Sequence, residues 1–275
     1  MRPRCNLLSG SDLRIVLVGW GAIGQRVAEI LAQRSAPVVL VAVAVRDANV
    51  PRDGMKGARL ISDPAELPMI EADILIEAAG RGSVGPWARA GLARGWDVAI
   101  SSTSALTDAG LLAELTGLAE ARGAQIIIPP GALGGIDALA AASRLGLSHV
   151  RHEVVKPART WVGTPAEAAC DLGALTKVFT FFEGSAREAG DAYPQNANVA
   201  VISALAGLGL DRTVVALVAD PGAVLNSHRI VAEGDFGKLS VVLENRPLAT
   251  NPKSSEMTAL SLVRMIENRA GVIVI

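Results

Sequence analysis

Few side chains in this sequence can move a proton near neutral pH. His149, His152 and His228 are its three histidines. An unperturbed imidazole titrates at about 6.5, so one such group can take and return a proton within a turnover. His149 and His152 stand at the start of a strand-like run, and three positions apart they face opposite sides of a strand. No Cys or carboxylate set with zinc-ligand spacing accompanies them, so no metal site is expected. His228 follows Asp220-Pro221-Gly222 and Asn226, and reads as part of a loop between strand-like Thr213–Ala219 and Ile230–Glu233. Loops presented by a rigid sheet commonly carry catalytic groups. His228 is therefore either a proton-transfer residue or an ordinary surface or capping histidine. Lys156 and Lys177 are second choices as acids or charge stabilisers, and each also reads as a plain surface lysine. Cys5 and Cys170 have no base or glycine elbow nearby, which argues against a thioester mechanism.

A second chemistry is written in glycine spacing. Gly19, Gly21 and Gly24 form G-x-G-x-x-G directly after the apolar run Ile15–Val18. Ile23, Val27, Ile30 and Leu31 then recur with helical period. On a strand-to-helix turn this motif binds a dinucleotide. The first glycine permits the turn, the second lets a pyrophosphate approach, and the third lets helix and strand pack closely. Gly19, Gly21, Ala22, Ile23 and Gly24 are thus the expected phosphate loop, with free amides at the helix N-terminus. Asp47 lies 23 positions after Gly24, near the ~20 expected of an acid that binds the ribose 2′-hydroxyl. Its neighbour Arg46 suits a 2′-phosphate instead, so NAD and NADP both remain open. The corner Glu77–Gly80, including Ala79, and the loop Ser101–Ser104 should flank the ribose and nicotinamide. Asn198 begins a helical run, where it reads as a cap or as a partner of the nicotinamide amide.

These residues must be held by a framework, and its pattern is legible. Strand-like Ile15–Val18, Pro37–Val45, Ala72–Glu77, Asp97–Ile100 and Gln125–Ile128 alternate with helical stretches. That pattern predicts a doubly wound parallel sheet. Pro86–Arg94 reads as a helix, and Ser101–Ser104 as the cap of the next one. The character changes at Pro129-Pro130-Gly131-Ala132-Leu133-Gly134-Gly135, after which a helix is expected over Ile136–Leu145. Strand-like His149–Val155, Lys177–Phe182 and Thr213–Ala219, a hairpin across Gly234–Gly237, and helical Ser185–Ala192 and Asn198–Leu208 predict an α+β unit with a mostly antiparallel sheet. Asn251-Pro252 reads as the start of a last helix that returns to the first unit. The expected division is a Rossmann domain over 1–133 completed by 246–275, and an α+β domain over 134–245. Residues 1–12 read as a loose extension.

Composition narrows the function classes. Half of the 275 residues are hydrophobic, only 3% are aromatic, and the formal net charge is −1. Neither a basic field nor stacking platforms recommend nucleic acid or an anionic membrane as partner. The N-terminal MRPRCNLLSGSDL lacks a signal peptide's apolar core, and the two cysteines suit a reducing compartment, so a cytoplasmic location is expected.

Several segments together resemble the L-aspartate dehydrogenase family: VGWGAIG (Val18–Gly24), PPGALGGIDAL (Pro129–Leu139), FEGSAREAGDAYPQNANVAV (Phe182–Val201), LVADPGAVLNSHRIVAEGDFG (Leu217–Gly237) and NPKSSEMTALS (Asn251–Ser261). The resemblance implies NAD(P)-dependent, reversible deamination of L-aspartate through iminosuccinate to oxaloacetate and ammonia, usually by a homodimer. It also implies a place in NAD biosynthesis for some members. By the same resemblance Ala132 and Asn198 touch the dinucleotide and His228 is the active-site histidine. Amides at the Gly134–Asp137 helix start, with Lys156 or Arg229 as a cation, would then hold the dicarboxylate. Competing readings are a homoserine dehydrogenase-like or dihydrodipicolinate reductase-like enzyme, and a non-catalytic NAD(P) sensor.

Overall fold

The computed structural model describes residues 12–55, 57–194 and 197–275. The expected extension and Cys5 therefore lie almost wholly outside the described residues. The chain forms two compact units. One runs to Pro129 and takes in Ala259–Ile275; the other is Pro130–Thr258. Residues 130–133 and 246–258 thus belong to the second unit and not, as expected, to the first.

In the first unit β1 (Leu13–Val18), α1 (Ala22–Gln33), β2 (Val38–Ala44), β3 (Arg59–Ile61), β4 (Ile74–Glu77), α2 (Arg81–Ala93), β5 (Asp97–Ile100), α3 (Ala109–Arg122) and β6 (Ile126–Ile127) follow in order. The six strands make one sheet, ordered β3-β2-β1-β4-β5-β6, with every pair parallel. The order reverses between β1 and β4, and a doubly wound sheet opens for a ligand at that point. Val18 pairs with Ala44 on one side and Glu77 on the other, so the glycine turn leaves the sheet at its centre. Ile15, Leu17, Val27, Ile30, Leu31, Ile74 and Ile76 form the core on one face. The C-terminal helix, Glu256–Ala270, adds Ala259, Leu262, Val263 and Ile266 to it. Those four positions are one helical stripe, and burying it is what fixes the helix there.

Three element starts differ from expectation. Helix α2 begins at Arg81, five residues before Pro86, so Pro86 lies inside the helix, where it cannot donate the bond to the Gly82 carbonyl. Ser102 is the N-cap of a short 3-10 helix, Thr103–Thr107, without a side-chain bond, and α3 is capped by Asp108, whose carboxylate accepts from the Leu111 amide at 3.0 Å. Asn251–Ser255 is a strand, so Asn251 does not cap the last helix; that helix begins at Glu256.

The second unit holds α4 (Ile136–Ala142), β7 (Leu147–Pro157), α5 (Ala166–Ala169), β8 (Phe179–Ser185), α6 (Ala186–Ala192), α7 (Asn198–Ala206), β9 (Val214–Asp220), β10 (Asn226–Gly234), β11 (Gly237–Asn245), β12 (Pro247–Leu248) and β13 (Asn251–Ser255). Its main sheet is ordered β11-β10-β7-β9-β8, and only β7 and β9 run parallel. β10 and β11 are the expected hairpin, closed between Gly234 and Gly237. Together the units are an α/β fold with an all-parallel and a mixed, mostly antiparallel sheet. Among the described residues no helix is long and apolar enough to cross a membrane.

Candidate active site

The first unit presents a turn whose missing side chains have distinct reasons. Gly19 has φ +104°, and a Cβ there would stand 2.8 Å from the Ala78 carbonyl oxygen. A Cβ at Gly24 would collide with the Gly19 carbonyl oxygen. Gly21 differs from both: a Cβ there would meet nothing within 4 Å. Gly19 and Gly24 are therefore demanded by the fold. Gly21 leaves open space in front of α1, whose N-cap makes no side-chain hydrogen bond. That combination fits a pyrophosphate lying on the helix amides. Ala22 and Ile23 form the first turn of α1. Arg46 and Asp47 are exposed just beyond β2, beside this turn. One Asp47 oxygen accepts from the Asn49 backbone at 2.9 Å, which fixes the local turn.

The adjoining corner, expected to flank the cofactor, is organised by its first residue. Glu77 is fully buried at the end of β4. Its carboxylate accepts from the Ala79 and Gly80 amides, both at 2.8 Å, and from the amide and hydroxyl of Ser102, both at 3.0 Å. Burial raises its pKa against those donors, which act in the opposite sense. The loops after β4 and β5 are thus tied through one side chain, leaving Ala79 exposed at the tip.

In the second unit, side chains of one sheet face converge. Along β7 the buried positions alternate as Val150, His152, Val154 and Lys156. Strand β10 pairs His228 with Val154, so His228 lies on the same face, with Asn226 and Ile230 two positions away on either side. His228 is 4% exposed, Lys156 5% and His152 fully buried. The expected loop position of His228 is therefore corrected: it is the third residue of β10. Arg229, the next residue, faces the other way; it is exposed and ion-pairs with Glu153 at 3.9 Å, so it does not join the cluster. Lys177 is exposed in a coil and also stands apart.

The cluster's electrostatics favour neutral rings. Burial lowers the pKa of His152 to about 3. It also pushes His228 well below its ordinary value, with the charges of His152 and Lys156 adding to the shift. Burial lowers Lys156 to about 8, which leaves the amine poised close to neutral pH. The Lys156 Nζ stands 5.2 Å over the ring of Trp161, whose indole N–H donates to the Val218 carbonyl at 3.0 Å. Phe181 and Tyr193 brace that ring, with centroids 4.7 and 6.3 Å away.

Other expected residues frame this face. Gly134 lies against Val241 and Leu243 of β11, and Leu243 is the register partner of His228. Asn245 donates to the Ala132 carbonyl at 2.9 Å and pairs with Asn226, which places Ala132 at the same end of the hairpin. Asn198 is the first residue of α7; its N-cap is Ala197 and makes no side-chain bond, so capping is not the role of Asn198. Sequence reasoning placed His152 on a strand but gave it no role, and it missed Ser203 and Trp161. The even spacing of His152 and Lys156 on a strand was the available signal for His152.

A parallel sheet opening at a glycine turn of this shape marks enzymes that bind NAD or NADP. The second unit gathers buried imidazoles and an amine, groups whose chemistry is proton transfer. The class is a nicotinamide-dependent oxidoreductase. Residues 19–129 match the model of the homoserine dehydrogenase NAD-binding domain, and residues 137–269 that of the aspartate dehydrogenase C-terminal domain. An L-aspartate dehydrogenase of Brucella anthropi is 59% identical over 262 residues, 95% of this chain and 98% of that protein. One from Pseudomonas aeruginosa is 43% identical over 270 residues, covering 95% and 99%. The solved aspartate dehydrogenase of Thermotoga maritima shares the fold, with TM-score 0.76 at 23% identity over 96% of this chain and 99% of that one. This chain belongs to the L-aspartate dehydrogenase family.

Proposed function

We propose that this protein interconverts L-aspartate with oxaloacetate and ammonia through iminosuccinate, using NAD or NADP. The observation that carries the reading is the meeting of Lys156 and His228 on one buried sheet face of a dehydrogenase fold. The nicotinamide, when bound, exchanges hydride with the substrate's α-carbon. Gly19, Gly21, Ala22, Ile23 and Gly24 would hold the pyrophosphate, Arg46 and Asp47 would meet the adenosine ribose, and Ala79 would contact the cofactor beyond it. Ala132 and Asn198 are assigned to the dinucleotide on the family resemblance.

The rest is proton and charge management by this chain. In the reductive direction ammonia adds to the oxaloacetate carbonyl, and the resulting hydroxyl must leave as water. His228 takes the proton released by the attacking amine and returns it to the departing hydroxyl. In the deaminating direction the same ring takes a proton from the water that attacks the imine. A neutral imidazole is free to accept at working pH; its lowered pKa makes it a weaker base, and once protonated it is a strong acid that does not hold the proton. Lys156, largely ammonium below about pH 8, holds a substrate carboxylate. The substrate's carboxylates stabilise a transient imidazolium at His228, acting against the shifts that burial imposes. The turn at Gly134 bounds the face on its β11 side. The family resemblance further supports a homodimer, tested by light scattering, and the sequence supports a cytoplasmic location.

The deciding assay is the initial rate with oxaloacetate and ammonia, run separately with NADH and NADPH. Turnover with these and none with homoserine is expected. The first unit's match to a homoserine dehydrogenase NAD-binding domain is the observation behind a homoserine-active alternative, and turnover of homoserine in preference to aspartate would establish it.

A further inference from the structure

His228 is one end of a chain of buried polar groups that runs along this sheet face to helix α7. His152 Nε2 stands 3.4 Å from His228 Nδ1, the rings meeting edge-on with centroids 5.5 Å apart. His152 Nδ1 in turn stands 2.9 Å from Ser203 Oγ. The Ser203 hydroxyl, on α7, lies 3.0 Å from the Ala200 carbonyl oxygen. Every hydrogen position in this chain follows from its last link. A carbonyl oxygen only accepts, so the single hydroxyl proton of Ser203 is directed to Ala200. Ser203 Oγ can then only accept from His152, whose proton must sit on Nδ1. The bare Nε2 of His152 accepts in turn, so His228 donates from Nδ1. The opposite polarity would set the Ser203 and Ala200 oxygens against each other with no proton between them, an unmet contact in a buried site.

We propose that His152 and Ser203 are positioning residues that fix the tautomer and ring orientation of His228, leaving its Nε2 bare and directed to the substrate side. A carboxylate in the place of His152 would orient the ring equally well but would make it more basic and favour its charged form. A neutral imidazole partner sets the tautomer without adding that charge. This fits a site where the proton must be passed on and not retained. The groups facing His228 are His152 and Lys156 from β7, Asn226 on its own strand and Leu243 from β11; Ser203 of α7 acts through His152.

The inference rests on His228 being the group that meets substrate, and the two can fail separately. Side-chain ¹⁵N NMR of the wild-type protein reads the tautomer whatever the residue does. A protonated Nδ1 and bare Nε2 on both His152 and His228 is expected; a bare Nδ1 on His228 overturns the proposal. His152→Gln places an amide oxygen near the lost Nε2, whereas His152→Phe keeps the ring shape with no acceptor. The Phe variant is expected to lose about tenfold to a hundredfold in kcat, the scale of one misplaced proton-transfer group. Its KM for dinucleotide should not change, and His228 should give a mixed tautomer signal. The Gln variant should recover most of the turnover and the single tautomer. Equal losses in the two variants, with the wild-type tautomer kept in both, would mean that His152 only fills space. If the Phe variant does not fold, the wild-type spectrum and the Gln variant decide.

Discussion

At the scale of the residue, the division of labour between two neighbours on a sheet face is the clearest feature. His228 and Lys156 are both buried bases, yet they serve opposite ends. Burial favours a neutral imidazole at His228, the proposed proton-transfer group, while the Lys156 amine carries charge through most of the physiological range. Lys156→Met keeps the stem over Trp161 and removes the charge. It should raise KM for oxaloacetate at least about tenfold, since a charge-assisted hydrogen bond contributes about 1.5–3 kcal/mol. The KM for dinucleotide should stay within a factor of two or so. An unchanged oxaloacetate KM would remove Lys156 from substrate binding.

At the scale of the element, the glycine turn separates what the fold requires from what the ligand requires. Gly24→Ala drives a methyl into the Gly19 carbonyl and should lower the melting temperature, by an amount corresponding to roughly 1–3 kcal/mol for an overpacked site. Gly21→Ala adds a methyl to open space. It should melt close to the wild type and weaken dinucleotide binding, measured by fluorescence titration. Equal destabilisation by both substitutions would mean that Gly21 is structural too.

The same elements show why some of the architecture was readable in the sequence. The parallel strands are apolar runs, and the glycine motif announced its own turn. β10 was half hidden because its inward positions before Ile230 are Asn226 and His228. A strand whose buried face begins with polar residues breaks the alternation that reveals strands. The site's chemistry therefore disguised the element that carries it. His152 escaped for a related reason, since a buried histidine inside an apolar strand resembles an ordinary core residue until its ring partners are seen. Glu77 looked like a strand-end acid because nothing local encodes the four donors that converge on it. Asn251-Pro252 had good helix-start chemistry, but residues 251–255 pair with β12 instead.

At the scale of the whole molecule, burying uncharged imidazoles links folding to pH. His152 titrates near 3 in the native protein and at about 6.5 when unfolded, and His228 is shifted in the same direction. As pH falls below about 6.5 the unfolded chain binds protons that the native state refuses. Stability is then lost at about 1.4 kcal/mol per pH unit for His152 alone, with His228 adding to it. Lys156 acts in the same sense at higher pH: between 10.5 and about 8 the unfolded chain again binds the extra proton. Thermal melts at pH 5, 6 and 7 should therefore rise steadily. A flat profile over that range would contradict neutral, buried histidines.

The central claim is that this dehydrogenase fold spends its proton chemistry at His228. It is tested most directly by the initial rate of oxaloacetate amination with NADH or NADPH in the wild type and in His228→Ala. The account predicts a kcat lower by about a hundredfold or more in the variant, with dinucleotide binding nearly intact. Near-normal turnover in His228→Ala would contradict it.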